Sequence, residues 1–181
     1  MPHRILKVPE RGMLDAYERV LSSRKFIADI AQRTAAERLQ RLYYELLSFK
    51  VGRSSKLRRF LAPPPVPRGV YFWGGVGRGK SFMMDCFYDA VPYRRKRRVH
   101  FHAFMHDVHR QLKQLKGEKD PLARLAEGIA SELRLLCFDE FHVSDIADAM
   151  ILRRLLEALF ERGVVFVMTS NYPPDRLYPN G

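Results

Sequence analysis

Apolar positions change rhythm near Gly69 in this 181-residue chain. Upstream of it they recur at helical spacing. Met13 to Leu21 predicts a first helix, with Ser22-Ser23 as its end. Between Ile27 and Phe49, Ile30, Leu39, Leu42, Tyr43, Leu46 and Leu47 line one face of a longer helix, and Ala35-Ala36-Glu37-Arg38 favours helix locally. From Lys50 to Pro67 the pattern dissolves into the basic cluster Arg53, Lys56, Arg58 and Arg59, then Pro63-Pro64-Pro65-Val66-Pro67. Prolines neither extend a helix nor donate to a central strand, so this stretch reads as a connector.

Downstream, short apolar runs alternate with helical segments. Val70–Trp73, Val99–Ala103, Leu135–Phe138 and Val164–Met168 read as four strands. Between them lie a helix ending near Ala90, helices over Met105–Leu115 and Pro121–Leu133 split at Gly117, and a long helix from Asp145 to Arg162 closed by Gly163. Continuously apolar strands joined by helices predict a parallel sheet covered on both faces, an α/β fold. The expected organisation is an N-terminal helical segment with its linker over residues 1–62 and an α/β core over 63–181.

Between the first strand and its helix stands Gly74-Gly75-Val76-Gly77-Arg78-Gly79-Lys80-Ser81, a match to G-x-x-x-x-G-K-[ST]. Glycines let the backbone curl so that successive N–H groups face one anion, and the N-terminus of the following helix adds its positive end. The loop from Gly74 through Phe82 is therefore the expected site for the phosphates of ATP. Lys80 is expected to reach the β- and γ-phosphates, and the Ser81 hydroxyl to hold Mg²⁺. About sixty residues on, the third strand ends in Asp139-Glu140. Strand ends converge on the ligand crevice in open α/β sheets. Asp139 is the expected second metal group and Glu140 the carboxylate that polarises the attacking water. The fourth strand ends in Thr169-Ser170-Asn171, where the Asn171 amide can bond both water and γ-phosphate.

These stretches, with Trp73 before the loop, Cys137-Phe138-Asp139-Glu140-Phe141, Val143 to Met150 and Thr169 to Pro174, together resemble the ZapE family of cell-division ATPases, bacterial members of the Afg-one-like AAA+ proteins. The resemblance is close from Gly69 to Gly181 and looser over the N-terminal helices. It implies an AAA+ P-loop core, hydrolysis of ATP, an oligomeric ring and recruitment to the division site, with the tubulin-like division GTPase as partner. Family members continue past Asn180-Gly181 through an arginine-bearing segment, a fifth strand beside the first and a helical portion, so the resemblance implies that this chain is a piece of a longer protein. Arg176 stands too early to replace the arginine that AAA+ sites borrow from a neighbouring subunit, and weak turnover is expected of the 181 residues alone.

Net charge is +12, which calls for an acidic partner: an acidic protein, an anionic membrane surface or nucleic acid. No apolar run approaches the roughly 18 residues that span a bilayer, and the N-terminus has no apolar signal core, so the chain reads as cytoplasmic. Cys86 and Cys137 sit among apolar neighbours as reduced core thiols. The run Arg94-Arg95-Lys96-Arg97-Arg98 reads as a solvated loop, with contact to phosphates as the sharper alternative. Phe104-Met105 occupies the place of a substrate-gripping pore loop in ring ATPases, and core packing competes with that reading. His100, His102, His106 and His109 fall on two elements and suggest no single metal geometry. The leading function is a Mg²⁺-dependent ATPase that remodels an acidic protein partner. The alternatives are a DNA-associated ATPase of the helicase-loader type and a nucleotide-dependent interaction module without turnover.

Overall fold

The computed structural model describes residues 12–24, 29–54 and 64–177. Pro63, Lys56, Arg58 and Arg59, and with them the expected boundary between residues 62 and 63, lie outside the described residues. Two helices come first, α1 (Met13–Arg24) and α2 (Ile30–Gly52). Then follow β1 (Val70–Trp73), α3 (Lys80–Ala90), β2 (Lys96–His100), α4 (Phe101–Gln114), α5 (Pro121–Glu132), β3 (Leu135–Asp139), α6 (Ile146–Glu161) and β4 (Val165–Ser170), with a 3₁₀ turn over Pro174–Arg176. Among the described residues no helix is long and apolar enough to cross a membrane.

Helix ends follow local chemistry. Asp29 and Gln32 form a reciprocal capping box on α2, in which the Gln32 N–H donates to Asp29 Oδ1 (2.8 Å) and the Asp29 N–H to Gln32 Oε1 (3.1 Å). Asp120 caps α5 with Pro121 in its first turn, and Asp145 caps α6 by accepting from Ala147 and Asp148. Past α6, Gly163 turns left-handed at φ 82°, the expected stop.

The four strands are parallel in the order β1-β4-β3-β2. β3 is buried throughout and its side chains alternate between two cores. Leu135 and Cys137 join Met84 and Phe87 of α3 together with Tyr17, Leu39 and Tyr43 of α1 and α2. Leu136 and Phe138 face Phe104, Val108, Leu125, Leu155 and Leu159 of α4, α5 and α6. The N-terminal helices thus share a core with the sheet. Gly69, just before β1, is required by close approach, since a Cβ there would lie 2.0 Å from the Phe166 carbonyl oxygen.

Two expectations change, the place of the second strand and the reading of the basic run. The second strand lies earlier than the apolar pattern suggests, and Phe101–Ala103 open a helix. Phe101, Phe104, Met105 and Val108 repeat at i, i+3, i+4 and i+7, and their burial against Phe138 and Phe141 decides the matter for helix. That burial also places Phe104 and Met105 in the core, so they form no pore loop. β1 is an edge strand, as the resemblance implies where the fifth strand is absent: among the described residues it pairs only with β4, and Trp73 is 58% exposed.

The basic run is not one solvated loop. Arg95 donates to the Ala130, Ser131 and Glu132 carbonyls at the end of α5, and Lys96 turns inward to those of Tyr88 and Val91. Arg98 reaches Asp139 and Asp85. Strand alternation separates charges that stand next to one another in sequence.

Candidate functional site

The loop from Gly74 to Gly79 carries the chain from the end of β1 into α3. Gly77 (φ 80°) and Gly79 (φ 73°) adopt left-handed backbone that a Cβ disfavours. Gly79 caps α3 without a side-chain bond, so the first-turn N–H groups at Lys80, Ser81 and Phe82 are left for a ligand. The Lys80 Nζ folds back inside the loop. It donates to the carbonyls of Gly74 (2.6 Å) and Gly75 (2.8 Å) and to Asn171 Oδ1 (3.1 Å). Burial pulls its pKa below the ordinary lysine value. Outside the loop, the Gln32 amide donates to the Arg78 carbonyl (3.1 Å) and the Arg78 guanidinium pairs with Asp29 (3.3 Å). The start of α2 therefore holds the loop from behind.

Three strand ends are tied together opposite the loop. The Gly74 N–H donates to the Ser170 carbonyl (3.3 Å), the Phe141 N–H to that of Thr169 (2.7 Å), and the Ser170 hydroxyl to that of Phe141 (2.7 Å). Glu140, between these ties, takes a left-handed φ of 55° and donates its N–H to Thr169 Oγ1 (3.2 Å). Non-glycine residues rarely hold this conformation, and it turns the Glu140 side chain out of the strand path. A cavity of about 400 Å³ results, walled on one side by Val76 to Phe82 and on the other by Glu140 and Thr169 to Asn171. A second cavity of about 350 Å³ adjoins it, sharing Glu140 and Asn171 and extending to His102 and Tyr172.

Most of the expected site residues meet here: Val76, Gly77, Arg78, Gly79, Lys80, Ser81, Phe82, Glu140 and Asn171 all line the 400 Å³ cavity. Gly74 and Gly75 stand behind it as acceptors for Lys80. Asp139 is outside the lining, 7% exposed, with its carboxylate gripped by Arg98 through Nε to Oδ2 (2.6 Å) and NH2 to Oδ1 (3.1 Å). Asp85 on α3 takes a third bond from the same guanidinium.

The donor set nonetheless suits a hard divalent cation, being a hydroxyl at Ser81 and a carboxylate at Asp139. Arg98 makes one bond to each Asp139 oxygen, and a carboxylate oxygen can accept more than one.

The Arg98 and Gln32 contacts bridge 41 and 46 residues of sequence, and local pattern gives no sign of them. Thr169 and Ser170 carried a readable signal, as polar groups ending an apolar strand beside Asn171.

Residues 12–181 match the AFG1-like ATPase family. The chain is 45% identical over 177 residues to the cell division protein ZapE of Escherichia coli, covering 91% of this chain and 47% of that protein. It is 52% identical over 129 residues to the lactation elevated protein 1 homolog B of Danio rerio, covering 65% of this chain and 26% of that one. Among solved structures, AMPPCP-bound DnaA from Aquifex aeolicus superposes with a TM-score of 0.56 at 15% identity, over 93% of this chain and 44% of that chain, which supports the fold. The chain spans under half the length of these relatives. The parallel sheet, its flanking helices and the glycine loop after β1 are those of an AAA+ P-loop protein, and the chain belongs to the AFG1-like ATPase family.

Proposed function

We propose that the chain forms the nucleotide-binding part of a Mg²⁺-dependent ATPase, with ATP in the cavity between the Gly74–Ser81 loop and the ends of β3 and β4. The observation that carries this reading is Lys80, whose ammonium is held by two loop carbonyls and Asn171 at the mouth of that cavity. The N–H groups of Val76 to Phe82 would cradle the phosphates, and Lys80 would pass from its carbonyl acceptors to the β- and γ-oxygens. Ser81 and Asp139 would hold Mg²⁺, which supplies charge neutralisation on the phosphates when bound.

Glu140 would accept a proton from the attacking water. Glu140 lines both cavities and has a left-handed backbone, which supports this role. Asn171 would orient that water and the γ-phosphate from the opposite side, its Oδ1 being already within 3.1 Å of the lysine.

Calorimetry of Mg²⁺–ATP with the parent chain and with Lys80→Ala tests the site. Loss of one charge-assisted bond cluster should weaken binding about tenfold or more. Equal affinities would remove the nucleotide from this cavity.

The partner follows from charge and relationship. A surface of net charge +12 suits an acidic protein, and a relative named for cell division supports the tubulin-like division GTPase as that partner, with recruitment from the cytoplasm to the division site. A homo-oligomeric ring of the complete protein would place these sites between subunits. Co-sedimentation with filaments of that GTPase, retained at high salt, is the expected result; no co-sedimentation at any salt would exclude this partner.

A further inference from the structure

Lys96 and Arg98 lie on the face of β2 that is turned to α3. Lys96 donates to the carbonyls of Tyr88 and Val91 (2.9 Å to the latter), at the end of that helix. Arg98 reaches Asp85 in its middle. The same guanidinium grips Asp139 at the end of β3, from Nε to Oδ2 (2.6 Å) and from NH2 to Oδ1 (3.1 Å). All three of its nitrogens therefore serve two carboxylates on two elements. A planar fork does this in one fixed orientation, whereas an ammonium is a point charge that leaves its partners free to turn.

Asp85 stands four residues after Ser81, one turn along the same face of α3. The helix face that bears the Ser81 hydroxyl is thus tied, through Asp85 and Arg98, to the Asp139 carboxylate. Apolar packing of Met84 and Phe87 against Cys137 sets the spacing of α3 and β3. It does not fix the rotation of a carboxylate about its own bonds, which paired donors in one plane do. The Asp139 side chain is 9% exposed, that of Arg98 22% and that of Asp85 56%. A cation between two carboxylates also takes the place that a hard divalent ion would seek among their oxygens. Without it, two anionic groups would share a partly buried setting in which their repulsion is little screened, and a metal ion would relieve it.

We propose that Arg98 is a positioning residue for the metal pair: it holds the Asp139 carboxylate in register with the Ser81 face of α3, and its charge keeps Asp139 and Asp85 from capturing a divalent cation before a nucleotide brings one. The inference rests on the assignment of Ser81 and Asp139 to Mg²⁺ proposed above. Mg²⁺ is ordinarily held by one or two protein carboxylates together with substrate phosphates. An Asp139 partly neutralised by Arg98 is then sufficient once phosphates are present and insufficient alone. Metal binding is thereby made to depend on the nucleotide, and the dependence is set by a residue that touches neither.

Two measurements on the 181-residue chain test this. Mn²⁺ binding without nucleotide is read from loss of the free-ion paramagnetic resonance signal, and ATP affinity with and without Mg²⁺ by calorimetry. Arg98→Met should bind Mn²⁺ alone about tenfold more tightly than the parent, and should lose most of the ATP affinity that Mg²⁺ adds. Adding Asp85→Asn to Arg98→Met should abolish the new Mn²⁺ affinity, a reversal that damage to the fold would not produce. Arg98→Lys keeps the charge without the fork, so Mn²⁺ binding should stay as weak as in the parent while part of the Mg²⁺ gain is lost. This variant carries the test if Arg98→Met does not fold, and a Mg²⁺ gain equal to the parent's would overturn the positioning role. Asp139→Asn separates the two layers of the reasoning. If it leaves the Mg²⁺ dependence of ATP binding untouched, the metal assignment itself fails. If it removes that dependence while Arg98→Met binds Mn²⁺ no more tightly than the parent, the metal assignment stands and the role given to Arg98 is overturned.

Discussion

Replacing Arg98 by Met should cost more than an ordinary surface ion pair, because of what is left behind. The Asp139 side chain is 9% exposed and that of Arg98 22%, and the two meet through paired bonds of 2.6 and 3.1 Å. A surface pair contributes about 0–1 kcal/mol. Breaking a fully buried pair from one side costs about 3–5 kcal/mol, since the remaining charge has neither water nor partner. With one-fifth of Arg98 in contact with solvent, about 2–3 kcal/mol is expected for Arg98→Met. Asp139→Asn keeps an acceptor for the guanidinium, and Asp85 still balances the charge, so about 1–2 kcal/mol is expected. The double variant leaves no stranded carboxylate. It should therefore be less destabilised than the two single losses combined, by about 1 kcal/mol or more. Urea unfolding followed by circular dichroism measures all four corners of the cycle. Additive losses, or an Arg98→Met cost of a few tenths of a kcal/mol, would show that Asp139 is solvated and that Arg98 does not position it.

Glu140→Gln should keep ATP affinity and lower turnover of a complete protein at least tens-fold, since positioned bases contribute about 10²–10⁴; unchanged turnover would return Glu140 to an ordinary surface carboxylate. Gly69→Ala should destabilise the fold by about 1–3 kcal/mol, because its Cβ would lie 2.0 Å from a backbone oxygen of β4 that cannot move aside without unpairing β1; an unchanged melting temperature would contradict that register. Burial pushes the Tyr93 phenol up to about 12, while the unfolded chain ionises near 10. The unfolded state therefore loses its proton first, and stability should fall by about 2–3 kcal/mol as pH rises from 10 through 12. Alkaline spectrophotometric titration should find a tyrosine still neutral past pH 11, and Tyr93→Phe should remove that late step.

What could be read from sequence was local. The strand, glycine loop and helix around Lys80 follow one another within about twenty residues, and each is specified by its own composition. Asp139-Glu140 and Thr169 to Asn171 were legible because an apolar strand that ends in polar groups marks the crevice side of a parallel sheet. Two kinds of feature stayed hidden. The start of α4 was misplaced because His100, Phe101 and His102 alternate as a strand would, and only burial of Phe101 against Phe138 and Phe141 tips the balance to helix. The five basic residues from Arg94 to Arg98 read as one solvated loop, although alternation along β2 sends Lys96, Arg97 and Arg98 to unrelated partners.

The contact at Arg78 changes how the N-terminal helices bear on the proposed nucleotide site. Asp29 serves two structures at once: it caps α2 through the Gln32 N–H and pairs with the Arg78 guanidinium on the loop. Gln32 completes the cap and also holds the Arg78 carbonyl. The ion pair is weak by position, with Arg78 68% and Asp29 45% exposed, so about 0–1 kcal/mol is expected of it. The amide bond adds about 0.5–1.5 kcal/mol and the cap about 0.5–2. These sums are too small to lock the loop against a ligand whose phosphates engage several N–H groups. They are large enough to bias its conformation, because Lys80 and Arg78 are anchored from opposite sides of the same turn. A loop held softly at two points can present its N–H groups without the entropy cost of ordering them afresh, and the helix that provides the outer anchor is therefore part of the proposed nucleotide site.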